Sequence, residues 1–221
     1  MSTQTPSATL PRPATPDMRL VHGLILLTLM AVPAIHPVLN RWPFAQAIPA
    51  LGYAGLLTFL PGFRKSAQWF RVGKLDKRAI VATILLSAVS ATALVAWALV
   101  SHPDFHRFAG RVPAGGLLSV ILGGLVFAVL NATTEEVAWR GVILDALEAR
   151  AGMVVAVLLQ GIAFGIGHWL GIPGGPVGVV LASLYGVLLG VLRKYEDGLL
   201  LCIVAHICAD TTIYCLVAGS R

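Results

Sequence analysis

Charge is the scarcest property of this sequence. Asp, Glu, Lys and Arg make up 12% of its 221 residues, whereas a soluble domain carries roughly 25%, so an ordinary soluble fold is excluded. Cysteine is also rare: Cys202, Cys208 and Cys215 are odd in number and match no zinc or redox spacing, which excludes a disulfide framework and a metal knuckle. The net charge is +6, but no basic patch alternates with aromatic residues, so nucleic acid is not an expected partner.

Hydrophobic residues, by contrast, form 57% of the chain and gather in long runs. A helix needs about 20 apolar residues to cross the hydrocarbon core of a bilayer. Seven runs approach that length, which predicts an all-α, polytopic membrane helix bundle of about seven transmembrane spans, with six to eight compatible with the run boundaries. The predicted spans are 20–39, 44–63, 79–101, 115–143, 153–171, 176–192 and 199–218.

The segments between the spans indicate an orientation. Residues 1–19 are rich in Pro, Ser and Thr and have no apolar period, so we expect a disordered tail. With seven spans, this tail lies on the same side as segment 64–78, and that side carries 12 of the 16 basic residues. The positive-inside rule therefore places the amino terminus in the cytoplasm. The compact size and the lack of eukaryotic targeting signals favour a bacterial plasma membrane.

Two adjacent glutamates, Glu135 and Glu136, interrupt the long run 115–143. On an α-helix Glu136 and Arg140 share a face, so we expect them to pair. Glu135 is turned by about 100° from Glu136 and is left without a local partner. One interpretation is that the helix simply leaves the membrane here, but the chain stays apolar through Leu144. Because a carboxylate within the membrane is costly, the pair indicates a functional site.

Histidines mark two later spans. His168 is the one ionisable residue of span 153–171, a setting in which histidine is often a packing hydrogen-bond partner. His206 and Asp210 are four residues apart on the last span, where an aspartate can fix the tautomer of the histidine. Measured from a turn near residues 151–152, Glu135 and His168 each lie roughly 24 Å along a helix, and His206 lies about 10 Å deep. We expect the three to converge in the cytoplasmic half of the bilayer or at its midplane.

These residue types form an inventory for activating water. Glu135 would take a proton from water that His168 also holds, and His206 with Asp210 would stabilise the oxyanion of a tetrahedral intermediate. The motifs G-x-S-x-G and H-E-x-x-H are absent. Two alternatives stay open: a zinc enzyme with Glu135, His168 and His206 as ligands, and a non-catalytic binding or immunity protein or small transporter in which buried charge marks a path.

Three motifs on three late spans together resemble the signature of one family. EEVAWR at 135–140 matches E-E-x-x-x-R, FGIGH at 164–168 matches F-x-x-x-H, and HICAD at 206–210 matches H-x-x-x-[ND]. The chain is similar in these motifs to the CPBP family, which comprises CAAX prenyl endopeptidases and bacteriocin-processing or abortive-infection (Abi) relatives. Its members are regarded as glutamic intramembrane endopeptidases. The resemblance covers about residues 115–218.

The resemblance implies a role for each matching residue. Glu135 is implied as the catalytic glutamate that activates water with His168, and His206 with Asp210 as the oxyanion-stabilising pair. The family often has asparagine at the last position. Because aspartate donates a hydrogen bond only when protonated, we expect Asp210 to orient His206 instead. The residues implied to support the site or contact substrate are Glu136, Arg140 and Phe164.

Composition, charge and the resemblance together divide the chain into a disordered cytoplasmic tail (1–19), N-terminal transmembrane helices (20–110) and a catalytic helix bundle similar to the family (111–221). The resemblance implies an endopeptidase without cofactor or metal that cleaves a membrane-associated protein or peptide. The substrate would be CAAX-like, a sorting tail or of the bacteriocin type, and the lipid bilayer would be the other partner. A zinc-dependent membrane protease and a non-catalytic immunity or binding protein remain the alternatives.

Overall fold

The computed structural model describes residues 17–35, 38–39, 44–110 and 112–220, and all regular secondary structure in these ranges is helical. The elements are α1 (Met18–Ile35), α2 (Phe44–Phe59), α3 (Pro61–Ser66), α4 (Lys77–Ser101), α5 (His106–Ala109), α6 (Leu117–Glu136), a π-helical segment (Val137–Ile143), α7 (Leu144–Ala151), α8 (Met153–Gly167), a 3₁₀ turn (His168–Leu170), α9 (Gly175–Glu196) and α10 (Leu200–Gly219).

The predicted disordered tail lies, up to residue 16, outside the described residues. Its predicted end at residue 19 is wrong, because α1 already begins at Met18. The carboxylate of Asp17 accepts a hydrogen bond from the backbone N–H of Arg19 at 3.0 Å. Side-chain acceptors of this kind satisfy the free N–H groups of a first helical turn, which is why the helix starts here.

Most of each predicted span that the structure describes is helical, although the first span extends past the end of α1 at Ile35 and the second is divided between α2 and α3. Five helices among the described residues are long and apolar enough to cross a membrane, and the stretches Met18–Val32 and Ala47–Phe59 are apolar but shorter. Large apolar side chains point outward, for example Leu24, which is 65% exposed, and Val89, which is 61% exposed. Helices that are apolar on their outer faces are suited to lipid. The predicted polytopic membrane helix bundle is therefore confirmed.

The longest helix runs without a break from Leu117 to Ala151, over 35 residues. At a rise of 1.5 Å per residue it spans roughly 50 Å, more than the ~30 Å of the hydrocarbon core. Its last two turns carry Asp145 and Arg150. The helix therefore extends beyond the apolar layer at this end, as its long apolar run predicts.

Ion pairs connect helix ends at one end of the bundle, which we call the charged end. Because successive helices alternate in direction, the chain returns there at residues 17–19, 71–77, 145–150 and 193–198. The pairs that join these segments are Arg19–Asp145, Arg150–Asp17, Lys194–Glu148 and Arg71–Asp197. These are the segments that the count of basic residues assigns to one side of the membrane.

Helices α8 and α9 approach each other along small residues. A Cβ added at Gly161 would lie 2.5 Å from the Val187 side chain, and one added at Gly165 would overlap Ser183 Oγ. Small residues spaced in this way let membrane helices pack closely. The close packing fixes the face of α8 that carries Phe164 against α9, where a Cβ added at Gly186 would lie 3.1 Å from Phe164.

A second packed region, which we call the His22 cluster, joins α1 and α2 to the segment before α4. The His22 and Phe63 ring centroids are 3.9 Å apart, and Tyr53 and Trp69 stack at 6.2 Å. A Cβ added at Gly141 would lie 2.6 Å from the Trp69 ring, so Trp69 packs directly on the π-helical segment. The members of the cluster are His22, Tyr53, Phe63, Ser66 and Trp69.

Candidate active site

Both glutamates lie where the long helix changes its geometry. Glu136 is the last residue of α6, and the chain continues as the π-helical segment, in which Arg140 lies. A π-helical turn contains more residues than an α-helical turn and occurs frequently at functional sites. The uniform 100° turn per residue assumed for this helix therefore holds only as far as Glu136.

Glu136, Arg140 and His206 form a buried network. The distance from Arg140 Nη1 to Glu136 Oε1 is 2.8 Å, and neither side chain is exposed, so the predicted pair is present. His206 Nδ1 lies 2.7 Å from the same carboxylate oxygen. Because a carboxylate only accepts, the hydrogen bond assigns the proton to Nδ1 of His206. Glu136 is thus engaged by two donors, one from its own helix and one from α10.

Arg140 has two further contacts with the late helices. Its Nη2 donates to the Gly186 carbonyl on α9 at 3.3 Å, and Gln160 Nε2 donates to the same carbonyl at 2.8 Å. The guanidinium carbon lies 4.4 Å from the centroid of the Phe164 ring, a cation–π geometry. Arg140 therefore connects the π-helical segment to α8 and α9.

Glu135 has a different environment. Its side chain is 25% exposed, and its Oε1 accepts a hydrogen bond from Asn131 Nδ2 at 3.2 Å. The prediction that Glu135 lacks a local partner is wrong, because Asn131 precedes it by four residues and shares its helix face. The other oxygen, Oε2, is buried and has no hydrogen-bond partner among the described residues. It lies 3.6 Å from His206 Nε2.

Asp210 does not orient His206 as predicted. Its Oδ1 is 3.8 Å from His206 Nε2, beyond hydrogen-bond distance, whereas Nδ1 is held by Glu136. The packing of α6 against α10 explains the difference, because it places Asn131 Nδ2 at 3.1 Å from Asp210 Oδ2. Asp210 therefore bonds to Asn131, and the residue that fixes the tautomer of His206 is Glu136.

His168 lies at the start of the 3₁₀ turn that follows α8. Its Nδ1 lies 2.8 Å from the Phe164 carbonyl, and since a carbonyl only accepts, Nδ1 carries a proton. Nε2 is then the remaining polar atom of the ring. No hydrogen bond or ion pair joins His168 to Glu135 within the described ranges, so a water shared by the two residues stays a prediction. Both site histidines pack on Phe164, with ring centroids 4.4 Å away for His168 and 5.9 Å away for His206.

A cavity of about 240 Å³ opens beside the histidines, between α4, α9 and α10. His168, His206, Asp210 and Tyr185 are the polar and aromatic part of its wall that lies nearest the site. Most of the remaining wall is aliphatic, and Glu135 is not part of it. The cavity thus presents an apolar surface next to the two histidines, and Glu135 Oε2 lies 3.6 Å from Nε2 of one of them, His206.

Asn131, Gln160 and Tyr185 are site residues that none of the sequence motifs contains. The position of Asn131, one helical turn before Glu135, is a signal that could have identified it. Gln160 is fully buried, and a polar residue in an apolar span is a signal of the same kind. Tyr185 lies edge-on to His206, with ring centroids 5.9 Å apart. Its sequence context contains no comparable signal.

In the part of the chain that the structure describes, no three His, Cys, Asp or Glu side chains converge so that they could hold a metal ion. The ligand set of the zinc alternative, Glu135, His168 and His206, is therefore not assembled in this geometry.

The fold and the site define a class: a multi-pass membrane protein with a buried carboxylate–histidine site beside an apolar cavity. Residues 116–212 match the family model of the type II CAAX prenyl endopeptidase Rce1-like proteins. This match confirms the resemblance of the three motifs to the CPBP/CAAX protease family and indicates a membrane endopeptidase. No curated protein and no solved structure matched the chain.

Proposed function

We propose that this protein is a glutamic intramembrane endopeptidase in which Glu135 is the general base. The observation that carries the proposal is the unequal use of the two glutamates. Each glutamate keeps an Oε2 atom without a hydrogen bond within the described residues. Glu136, however, is fully buried and has its charge paired with Arg140 and His206, whereas the Glu135 side chain is 25% exposed, so water can reach it. A base needs a lone pair that a water molecule can reach.

In the proposed reaction, Glu135 removes a proton from a water molecule that His168 helps to hold. The water oxygen attacks the carbonyl carbon of the scissile bond, and the carbonyl electrons move to its oxygen. His206, with Nδ1 held by Glu136, donates from a protonated Nε2 to this oxyanion. The proton on Glu135 then passes to the amide nitrogen, and the C–N bond breaks to give an acid and an amine.

We propose that the substrate is a membrane-associated protein or peptide of the CAAX-like, sorting-tail or bacteriocin type. The aliphatic cavity beside His168 and His206 supports this, because an apolar chain or lipid would lose less by entering it than a polar peptide would. No cofactor is needed for the proposed chemistry, since the water is activated by a carboxylate.

The test is cleavage by the full chain reconstituted in vesicles, with membrane peptides that do or do not carry a lipidated C-terminal cysteine. Glu135→Gln removes the base while keeping its shape, and we expect cleavage to fall by about 10²- to 10⁴-fold. The matched control is Glu148→Gln, which changes a half-buried glutamate paired with Lys194 at the charged end. Cleavage by Glu135→Gln at the wild-type rate would overturn the proposal.

Two additional measurements separate the alternatives. Activity that survives metal removal by a strong chelator excludes the zinc-dependent alternative, and activity restored only by added zinc supports it. Vesicles that bind a peptide tightly but never cleave it favour a non-catalytic immunity or binding protein. In that case Glu135→Gln would leave the biological effect intact.

We also propose that the charged end faces the cytoplasm of a bacterial cell and that the protein resides in the plasma membrane. The clustering of Arg19, Arg71, Arg150 and Lys194 at that end supports this orientation. In a Cys215→Ala background, a cysteine replacing Ser101 should react with an impermeant thiol reagent in intact cells. A cysteine replacing Lys74 should react only after the cells are opened, and the reverse pattern would invert the orientation.

A further inference from the structure

Asn131 lies outside the three family motifs, yet it joins two of them. From α6 its Nδ2 donates to Glu135 Oε1 at 3.2 Å on the same helix, and to Asp210 Oδ2 at 3.1 Å on α10. Asn131 is half-buried at this contact. It therefore bridges the residue proposed as the base and an acidic residue in the cavity wall.

The count of donors explains why an amide is needed here. Carboxylates only accept hydrogen bonds, and the amide nitrogen of asparagine has two N–H groups. One N–H is available for each carboxylate, so Asn131 satisfies two acceptors that would otherwise face each other without a proton between them. Carboxylates left in that state repel each other strongly in an apolar environment.

The bridge also determines which carboxylate oxygens remain available. Because Asn131 engages Glu135 Oε1 and Asp210 Oδ2, the oxygens left without a hydrogen bond to any described residue are Glu135 Oε2 and Asp210 Oδ1. These lie 3.6 Å and 3.8 Å from His206 Nε2. Distances of this size are too long for a direct hydrogen bond and are within the reach of a bridging water.

We propose that Asn131 is a positioning residue of the endopeptidase site, which sets the orientation of Glu135 and of Asp210 relative to His206. The inference rests on the proposed function, since it assumes that Glu135 acts as the base. This role also explains why position 210 can be an aspartate in this chain. The N–H donor that an asparagine at position 210 would provide is supplied instead by Asn131 on α6.

This role makes a prediction that a packing role does not make. Aspartate has the shape of asparagine but no N–H donors, whereas leucine has similar bulk and no polar atoms. If Asn131 acts by donating hydrogen bonds, Asn131→Asp must be at least as harmful as Asn131→Leu, because it adds a third carboxylate to the cluster. If Asn131 acts only by filling space, the isosteric Asn131→Asp must be the milder change.

The experiment compares kcat and KM for wild type, Asn131→Leu, Asn131→Asp and Asn131→Asp/Asp210→Asn in vesicles, each normalised to folded protein. A misplaced catalytic group costs up to about 100-fold, so we expect kcat to fall by about 10- to 100-fold in both single variants. KM should change little, because Asn131 is not part of the cavity wall. The double variant returns a donor to the cluster and should exceed Asn131→Asp by about threefold or more. Thr133→Val, on the same helix, is the control that should match wild type.

The outcomes distinguish this inference from the function it rests on. If Glu135→Gln abolishes cleavage but both Asn131 variants keep the wild-type kcat, the bridge is not used and the inference is wrong. A milder Asn131→Asp than Asn131→Leu, or a double variant no faster than Asn131→Asp, also overturns it. If Glu135→Gln itself cleaves normally, the proposed function fails, whatever the Asn131 variants do.

Discussion

Two buried histidines, His22 and His206, lie in contrasting surroundings and are 2% and 3% exposed. Both nitrogens of His22 have partners at hydrogen-bond distance, Tyr53 Oη at 2.6 Å and Ser66 Oγ at 2.8 Å. Ser66 donates its own proton to the Phe63 carbonyl, so it accepts from Nε2–H and the Tyr53 hydroxyl donates to Nδ1. His22 is therefore a neutral, fully satisfied histidine.

His206 is equally buried, but only Nδ1 has a hydrogen bond, to Glu136. Nε2 has carboxylate oxygens at 3.6 Å and 3.8 Å and none closer within the described residues. Buried polar atoms without hydrogen bonds lie around His206, including Glu135 Oε2 and Glu136 Oε2. Among the described residues, the His22 cluster contains no buried polar atom of this kind. Burial alone therefore does not separate a structural histidine from a functional one, whereas unused hydrogen-bonding capacity does.

The largest effect we expect comes from breaking the ion pair beneath His206. Arg140→Met keeps the bulk of the side chain but leaves the Glu136 charge buried without its partner. Removing one member of a buried pair typically costs about 3–5 kcal/mol, and unfolding followed by helical circular dichroism in mixed micelles would measure this. If Arg140→Met destabilised the protein less than a substitution in the His22 cluster, the buried ion pair next to His206 would not be the larger contribution to stability.

A double variant is the control for this prediction. Glu136→Gln/Arg140→Met removes both charges, so it should regain part of the lost free energy of unfolding, because no uncompensated charge is left. The amide oxygen introduced by Glu136→Gln can still accept from His206 Nδ1. A double variant no more stable than Arg140→Met would show that the guanidinium acts through Gly186 and Phe164, not through the charge of Glu136.

The comparison also shows which parts of the molecule are predictable from sequence. The helices are predictable, because in a membrane protein a long apolar run is almost sufficient to identify a helix. Helices α4 and α10, for example, lie within two residues of their predicted spans. The pair Glu136–Arg140 is predictable because it is local. The start of α1 is not, since Asp17 stabilises a turn that composition alone assigns to the tail.

The partner of His206 could not be predicted in this way. Glu136 is 70 residues away in sequence, and Asn131 is 79 residues from Asp210, so both contacts depend on how α6 packs against α10. Helical spacing alone predicts Asp210 as the partner of His206, because Asp210 lies one helical turn after His206 on the same face. Packing against α6 instead supplies a carboxylate for His206 and an amide for Asp210.

The next smaller effect tests the other side of the comparison. His22→Leu leaves the Tyr53 hydroxyl without its acceptor in a buried position, which should cost about 1–3 kcal/mol. Cleavage per folded molecule should stay unchanged, because the cluster does not touch the cavity. His206→Leu, the same substitution at equal burial, should abolish cleavage. Loss of cleavage in His22→Leu at full stability would show that the His22 cluster acts on the site through Trp69 and Gly141.

The smallest change in stability that we expect is at an exposed carboxylate, where a single polar contact contributes least. Asp76 accepts a hydrogen bond from the backbone N–H of Ala79 at 2.8 Å and caps α4; this bond lowers the pKa of the Asp76 carboxyl below its ordinary value of 3.8. Since the folded pKa is the lower one, the stabilisation is fully present above pH 3.8 and is lost as the pH falls through the folded pKa. Asp76→Asn keeps a capping oxygen but no charge, so its unfolding midpoint should be slightly below that of wild type at about pH 6. The two midpoints should converge as the pH falls through the lowered pKa of Asp76. A difference that persists in acid would mean that the cap acts through the shape of the side chain, and the buried carboxylates would then be the ones whose contribution depends on charge.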